Sequence, residues 1–320
     1  MGKQGGRIMK IVKIILIILV LNSYVDLTVA QSKNGFDLQG SLIPIQQILG
    51  GGPAKDGIPS IDNPKFILAD KASYLRDHNP VLGMNYKGVT KAYPINILNW
   101  HEIVNDLFNE EPVVITFCPL CGSGMAFSAL INGKAHTFGV SGLLYNSDVL
   151  LFDRQTQSLW SQLMTKSISG PHKGKRFISI PVQHTTWLDW KTRNPETLVL
   201  STKTGFSRDY SDSPYAEYLE SPETMFPLSS VSRRYHPKEE VFGIEIDGQF
   251  KVYPFVELEK SPAEFNEIVN GQSITIRYDS KHKSATAFDQ QGKQLAGVRT
   301  FWFAWYAFHP ETEIYAVANP

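Results

Sequence analysis

The sequence predicts a mainly β protein of the α+β kind, built as two tandem related β-rich units with few short helices that pack as a pseudo-symmetric pair. Short β-branched and aromatic runs alternate with Lys87-Gly88, Asn132-Gly133 and Asp247-Gly248 turns, the pattern of hairpins. Phe66-Ile-Leu…Val81-Leu-Gly-Met-Asn-Tyr-Lys-Gly-Val-Thr-Lys-Ala-Tyr-Pro94 also matches Phe226-Pro-Leu…Val241-Phe-Gly-Ile-Glu-Ile-Asp-Gly-Gln-Phe-Lys-Val-Tyr-Pro254 at a constant offset of 160. One fold unit therefore occurs twice, and duplicated units commonly pack about a pseudo-symmetry axis.

The elements follow in chain order. Residues 1–30 read as an export signal: Arg7, Lys10 and Lys13 form a basic start, Ile14–Leu21 an apolar core, and Thr28-Val-Ala30 a small-residue cleavage site. The apolar core is far shorter than the ~20 residues that span a bilayer, and no cysteine follows it to carry a lipid. The expectation is an exported protein, periplasmic or extracellular, with no membrane span after cleavage and a mature start near Gln31. Removing Lys3, Arg7, Lys10, Lys13 and Asp26 from 31 basic and 31 acidic residues leaves 27 and 30. That slightly acidic balance argues against nucleic acid as a partner; another exported protein is the partner class that remains.

Residues 31–65 form an N-terminal extension in which Gly50-Gly-Gly-Pro53 reads as a flexible link, since it lacks the Lys-Ser/Thr of a phosphate-binding loop. The first unit, 66–166, opens with a hairpin of Leu82–Tyr86 and Lys91–Ile95. A helix over Ile97–Phe108 follows, then strands over Val113–Phe117, Met125–Leu130, His136–Val140 and Val149–Phe152. A connector, 167–225, holds a short helix over Thr186–Arg193 and a strand over Thr197–Ser201. The second unit, 226–320, repeats the hairpin and ends in the aromatic run Phe301–Phe308, expected to fill its core or the face between the units.

Further matches extend the repeat: Glu102-Ile-Val-Asn105 with Glu267-Ile-Val-Asn270, Ile115-Thr-Phe117 with Ile274-Thr-Ile276, Ala126-Phe127 with Ala287-Phe288, and Phe152-Asp-Arg-Gln-Thr156 with Phe308-His-Pro-Glu-Thr312. Residues common to both copies, such as Gly83, Gly88, Lys91, Tyr93 and Pro94, are assigned to folding. Differences are more telling. The only two cysteines, Cys118 and Cys121, lie in a turn of the first copy that the second replaces with Arg277-Tyr-Asp-Ser-Lys-His-Lys283, and His101 is set against Asn266. The first copy also carries an extra stretch, Gly139–Asp148, whose Gly, Ser and Asn content suits a site-forming loop.

The motifs Thr116-Phe-Cys-Pro-Leu-Cys-Gly-Ser123, Phe138-Gly-Val-Ser-Gly-Leu-Leu-Tyr-Asn-Ser-Asp148, Asp153-Arg-Gln-Thr-Gln-Ser-Leu-Trp-Ser-Gln162 and Gly205-Phe-Ser-Arg-Asp-Tyr210 resemble the domain-of-unknown-function 3179 family of bacteria and archaea. The resemblance runs from about Gly57 to the C-terminus and implies an exported or membrane-anchored protein with the cysteine pair as a family feature. It brings no activity.

The chemistry must be read from the residues. Cys118-Pro-Leu-Cys121-Gly between two strands resembles the knuckle with which rubredoxins and zinc ribbons hold metal. A single knuckle needs His or carboxylate to complete a tetrahedron, which suits copper or zinc better than an all-thiolate iron site. His101 is the first extra ligand expected, His136 the second and Asp148 the third. Ser141, Asn146, Asp148, Arg154, Trp160 and Gln162 are candidates for the wall of the site. The alternative is an extracytoplasmic thiol-disulfide oxidoreductase with Cys118 attacking and Cys121 resolving. Thioredoxins resemble this chain in running a strand into the motif, but their motif opens a helix, whereas Gly122-Ser-Gly124 points to a hairpin. A Cys nucleophile with His101 as base and an inert local disulfide complete the alternatives. Whether the protein is an enzyme stays open.

Overall fold

The computed structural model describes residues 32–317; the expected export signal lies outside them. Strand makes up 41% of the described residues against 13% helix, so β structure predominates, but the arrangement is a five-bladed β-propeller and not a pair of tandem pseudo-symmetric units. We number the blades by the order of their central hairpins. Blade 1 contains Gln183–Thr186, Pro80–Tyr86, Val89–Pro94, Leu198–Leu200 and Phe66–Leu68, in spatial order; blade 2 contains Ser179–Ile180, Ser123–Ser128, Glu111–Cys118 and Ile103–Phe108. Blade 3 contains Lys166–Ser169, Leu159–Ser161, Asp148–Asp153, Phe138–Tyr145 and Leu49–Gly50. Blade 4 contains Gly297–Phe301, Glu240–Ile246, Gln249–Pro254 and Glu313–Ile314, and blade 5 contains Glu264–Val269, Gln272–Asp279 and Ser284–Phe288. Radial repetition of small sheets is one of the ways an antiparallel protein limits its open edges.

The pair fails for a countable reason: the duplicated segment is two blades long, and a fifth blade interrupts the first copy. Blades 1 and 4 are equivalent. Val81 lies opposite Pro94 and Val241 opposite Pro254, at the offset of 160, and each hairpin gains a parallel strand after a helix, Trp187–Arg193 or Trp302–Phe308. Blades 2 and 5 are equivalent at an offset of 161, since Ile103 faces Thr116 as Glu264 faces Arg277, and Cys118 faces Ser123 as Asp279 faces Ser284. Blade 3, apart from its edge strand Leu49–Gly50, is threaded between Ser128 and Ser179 with no counterpart.

These registers correct several sequence matches. Asn105 lies opposite Val114 and Asn266 opposite Thr275, so Asn266 is the counterpart of Asn105 rather than of His101, and Glu267 answers to Asp106. Likewise Ile276, not Ile274, takes the place of Ile115. Phe308–Thr312 corresponds to the end of the Trp187–Arg193 helix instead of to Phe152–Thr156: Trp190 Nε1 donates to Thr197 Oγ1 at 3.0 Å, and Trp305 Nε1 to Thr312 Oγ1 at 3.1 Å. The expected helix over Ile97–Phe108 is a helix only over Ile95–His101. Glu102 ends it in the left-handed region (φ 58°), after which Ile103–Phe108, rich in β-branched and aromatic residues, pairs as a strand.

Shared residues earn their folding assignment. Lys91 Nζ meets the Asp106 carboxylate at 2.8 Å with Tyr93 donating to the same carboxylate at 2.5 Å; Lys251 and Tyr253 meet Glu267 at 3.1 and 2.8 Å. The Lys91–Asp106 pair is almost fully buried, and Leu107 O takes a further bond from the ammonium at 2.9 Å, which satisfies a charge that would otherwise be costly inside.

The stretch 167–225 supplies strands to blades 1, 2 and 3. Gly50 and Leu49 pair with Leu143 and Leu144, so the glycine link is part of a sheet edge. The Gly139–Asp148 stretch is a hairpin and not an open loop: its strands are Phe138–Tyr145 and Asp148–Asp153, turned by Asn146 and Ser147 with φ of 51° and 64°. Two consecutive left-handed residues make the tight turn whose twist matches the flanking strands. The aromatic run contributes buried Trp302, Phe303 and Trp305 to the same core cluster as Cys118, Cys121 and Trp160.

Candidate functional site

The strand Glu111–Cys118 delivers Cys118 to its end, and the turn Pro119–Gly122 folds Cys121 back beside it before Ser123–Ser128 returns. The two cysteines lie 3.6 Å apart as free thiols, and both are buried. A disulfide would bring the sulfurs to about 2.05 Å. The turn is anchored from blade 4: Phe301 N and Thr300 Oγ1 each donate to Cys121 O at 2.8 Å. Behind it, Gln162 accepts from Ser123 Oγ at 2.7 Å and donates to Thr116 Oγ1 at 2.8 Å, which fixes both strands of the hairpin.

The tight turn of blade 3 closes over the thiols. Both thiols reach Ser147 O, Cys121 at 3.3 Å and Cys118 at 3.7 Å, and the next residue, Asp148, forms a buried cluster with them in which one donor atom from each lies within 4.8 Å of the others. Asn146 holds the turn in place, donating to Ala307 O at 3.2 Å and accepting from Ser229 N at 2.8 Å. One Asp148 oxygen accepts from Leu163 N at 3.0 Å; the other is buried with no partner.

Glu102, buried at the helix end, joins this acidic group. Burial pushes its carboxyl up to about 8, with the Asp148 charge adding to the rise and the Tyr215 hydroxyl, donating at 3.3 Å, opposing it. Burial likewise pushes Asp148 up to about 7, although backbone amides of Leu163 and Val149 favour its charged form. Both thiols are raised, chiefly by burial, with Asp148 adding to each. Tyr218 completes the surroundings by donating to Leu120 O at 2.9 Å. Four acids thus meet in a dry place, and among the described residues no cation forms an ion pair with Asp148 or Glu102.

Of the other sequence candidates, His101 is not gathered to the thiols. Its Nδ1 bonds to Pro59 O at 2.8 Å and its Nε2 to Tyr210 OH at 2.6 Å, so both ring nitrogens are used in packing, one against the N-terminal extension and the other against the 201–215 segment. Asp148, ranked after His101 and His136, is the residue beside the cysteines. Ser141 is buried inside a strand of blade 3, and Arg154 forms ion pairs with Asp56 and Asp62. Trp160 stacks on Phe177 with ring centres 4.3 Å apart. His136 faces His172 elsewhere. Glu102, Ser147 and the two tyrosines were missed, because a helix-end glutamate and tyrosines a hundred residues away carry no local signal of a site.

The fold and the cluster together define a five-bladed β-propeller whose second and third blades close on a buried dithiol and carboxylate. The model of a family described as protein of unknown function (DUF3179) matches residues 55–312, and the chain belongs to that family. No curated protein and no solved structure matches.

Proposed function

We propose that this is an exported metal-binding protein that holds one zinc-class ion through Cys118, Cys121 and Asp148, with Glu102 as an outer carboxyl of the site. The observation that carries the reading is the convergence of two buried thiols on a buried carboxylate with one unpartnered oxygen. Burial disfavours ionisation of all these groups, and a bound cation is what would let the thiols and the carboxyl ionise in so dry a place, since buried charges are normally paired or bound to metal. The spacing agrees: a tetrahedral ion with Zn–S bonds of about 2.3 Å sets its sulfurs about 3.8 Å apart, near the 3.6 Å between the cysteines. A carboxylate beside two thiolates is a better donor set for zinc than for copper(I), which prefers soft ligands throughout. The closed surroundings suit an ion that is retained. The basic and apolar segments of Met1–Ala30 support export.

Thiol exchange has less support. Neither sulfur is presented to solvent, and burial raises both thiols, whereas an attacking cysteine needs exposure and a lowered pKa.

The test is elemental analysis of the full chain purified without an affinity tag, beside the Cys118→Ser/Cys121→Ser variant. The expected result is one equivalent of metal lost in the variant and, in cobalt-substituted protein, a sulfur-to-cobalt charge-transfer band that the variant lacks. Equal metal content in the two, together with a reversible Cys118–Cys121 disulfide under mild oxidant, would refute the metal reading in favour of exchange.

A further inference from the structure

A second set of metal-ligand side chains lies in blade 3. His136, Asp153 and His172 are all buried and place one donor atom each within 4.8 Å of one another. His136 comes from the segment that enters the blade, Asp153 ends its second long strand, and His172 sits in the turn Gly170–Gly174 after its edge strand.

Each member is oriented by a neighbour. His136 Nδ1 lies 2.9 Å from Lys134 O, and since a carbonyl only accepts, that nitrogen carries the proton and Nε2 presents a lone pair. This is the arrangement that fixes the tautomer of a metal-binding histidine. The His172 backbone N donates to Ser158 Oγ at 3.0 Å, which pins the turn. Asp153 accepts from Trp160 Nε1 at 3.0 Å and from Thr156 N at 2.6 Å, so its carboxylate cannot swing away. His172 also lies against the Trp160 ring, 5.8 Å between centres.

The two Nε2 atoms are 3.3 Å apart. That separation is within reach of an N–H···N hydrogen bond from His172 to the His136 lone pair. It also agrees with a tetrahedral ion, for which Zn–N bonds of about 2.05 Å set two nitrogens about 3.3 Å apart; a square-planar ion would bring them to about 2.9 Å. We propose that His136, His172 and Asp153 form a second metal site of the zinc class, with two imidazole nitrogens, one carboxylate oxygen and a fourth position left for water or a small anion. Its residues are separate from the thiol cluster, so it stands or falls independently of that reading. Two histidines and a carboxylate with an open position is also the ligand set of zinc sites that activate water.

The probe is zinc, and cobalt for its spectrum, titrated into the full-length Cys118→Ser/Cys121→Ser chain. The expected result is one equivalent bound with a tetrahedral cobalt spectrum free of sulfur bands, and affinity weakened more than about tenfold by His136→Gln or His172→Gln. Absence of binding in a chain with unaltered circular dichroism, or binding unchanged by both histidine variants, would reduce the cluster to a histidine–histidine hydrogen bond and overturn the proposal. If the cysteine variant fails to fold, the comparison moves to His136→Gln in the otherwise unmodified chain. One equivalent of zinc is then lost whatever the thiol cluster retains, and an unchanged zinc content overturns the proposal.

Discussion

Replacing Gly83 or Gly243 with alanine tests whether blades 1 and 4 are built on one packing device. In each blade a tryptophan of the crossover helix lies flat on the glycine of the central hairpin. An alanine Cβ at Gly83 would meet Trp190 ring atoms at 2.2–2.4 Å, and one at Gly243 would meet Trp305 at 2.1–2.4 Å. Ordinary contact begins about 1 Å farther out, so the ring or the strand must move. Neither is free: each ring is almost fully buried, its Nε1 donates to Thr197 or Thr312, and each strand is paired on both sides. Overpacking a core costs about 1–3 kcal/mol. Displacing the indole would also forfeit a hydrogen bond worth ~1 kcal/mol. We therefore expect about 3 kcal/mol for either variant, a fall in Tm of roughly 6–12 °C for a domain of this size. Gly50→Ala is the control, because nothing lies within 4 Å of its Cβ position. Urea unfolding followed by tryptophan fluorescence measures all three. A loss below about 1 kcal/mol in both test variants, with a cooperative transition, would refute the packing argument.

Two other outcomes follow from the same geometry. Asp148→Asn should weaken metal binding at the thiol cluster by at least about tenfold, while the metal-free chain keeps its Tm, because the amide oxygen still accepts from Leu163 N and no charge is buried; isothermal titration with zinc, paired with a melt, reads both. His184 is buried, held by Gly124 N at 3.1 Å, and pushed down to about 3 by burial, with the Arg299 charge adding. The unfolded chain takes up this proton near pH 6.5 and the folded chain does not, so the neutral histidine costs no stability above pH 6.5 and an increasing amount as pH falls toward 3. By pH 4 the difference is ~3 kcal/mol, and His184→Gln should remove it from the pH dependence of unfolding. A variant with the same acid sensitivity as the parent would show that His184 titrates freely.

The sequence made individual strands and the duplication legible because both are local or periodic signals. Val113–Phe117 and Val149–Phe152 announce themselves by β-branched and aliphatic runs, and the Lys87-Gly88 and Asp247-Gly248 turns mark the same hairpin twice. The blade count was hidden because the strands Gln183–Thr186 and Leu198–Leu200 are short and lie far from the hairpin they join. A stretch that supplies edge strands to three sheets reads as a connector when only sequential neighbours can be compared. The register errors came from matching Glu102-Ile-Val with Glu267-Ile-Val by identity. In the fold the equivalent carboxylates are Asp106 and Glu267, each receiving a lysine and a tyrosine two residues apart on the neighbouring blade.

The corrected register also explains why only one copy carries the cluster. Asp279 and His282 stand where Cys118 and Cys121 stand, and with Asp189 they bring three donor atoms within 4.8 Å, but Asp279 is exposed. The turn itself is thus common to both copies; what differs is what covers it. Blade 3 has no equivalent in the second copy, and it is blade 3 that sets Ser147 O and Asp148 over the thiols, while Phe301 and Thr300 of blade 4 hold the turn from another side. Burial requires all of these pieces at once. An exposed Asp-x-x-His turn has water for its charges; a Cys-x-x-Cys turn sealed beside two carboxyls does not, and a bound cation is the simplest way for such a group to be both buried and ionised. On this reading blade 3 is what makes one of two equivalent turns a site, and the cysteines are where the chemistry is visible in the sequence while the blade that makes it possible is not.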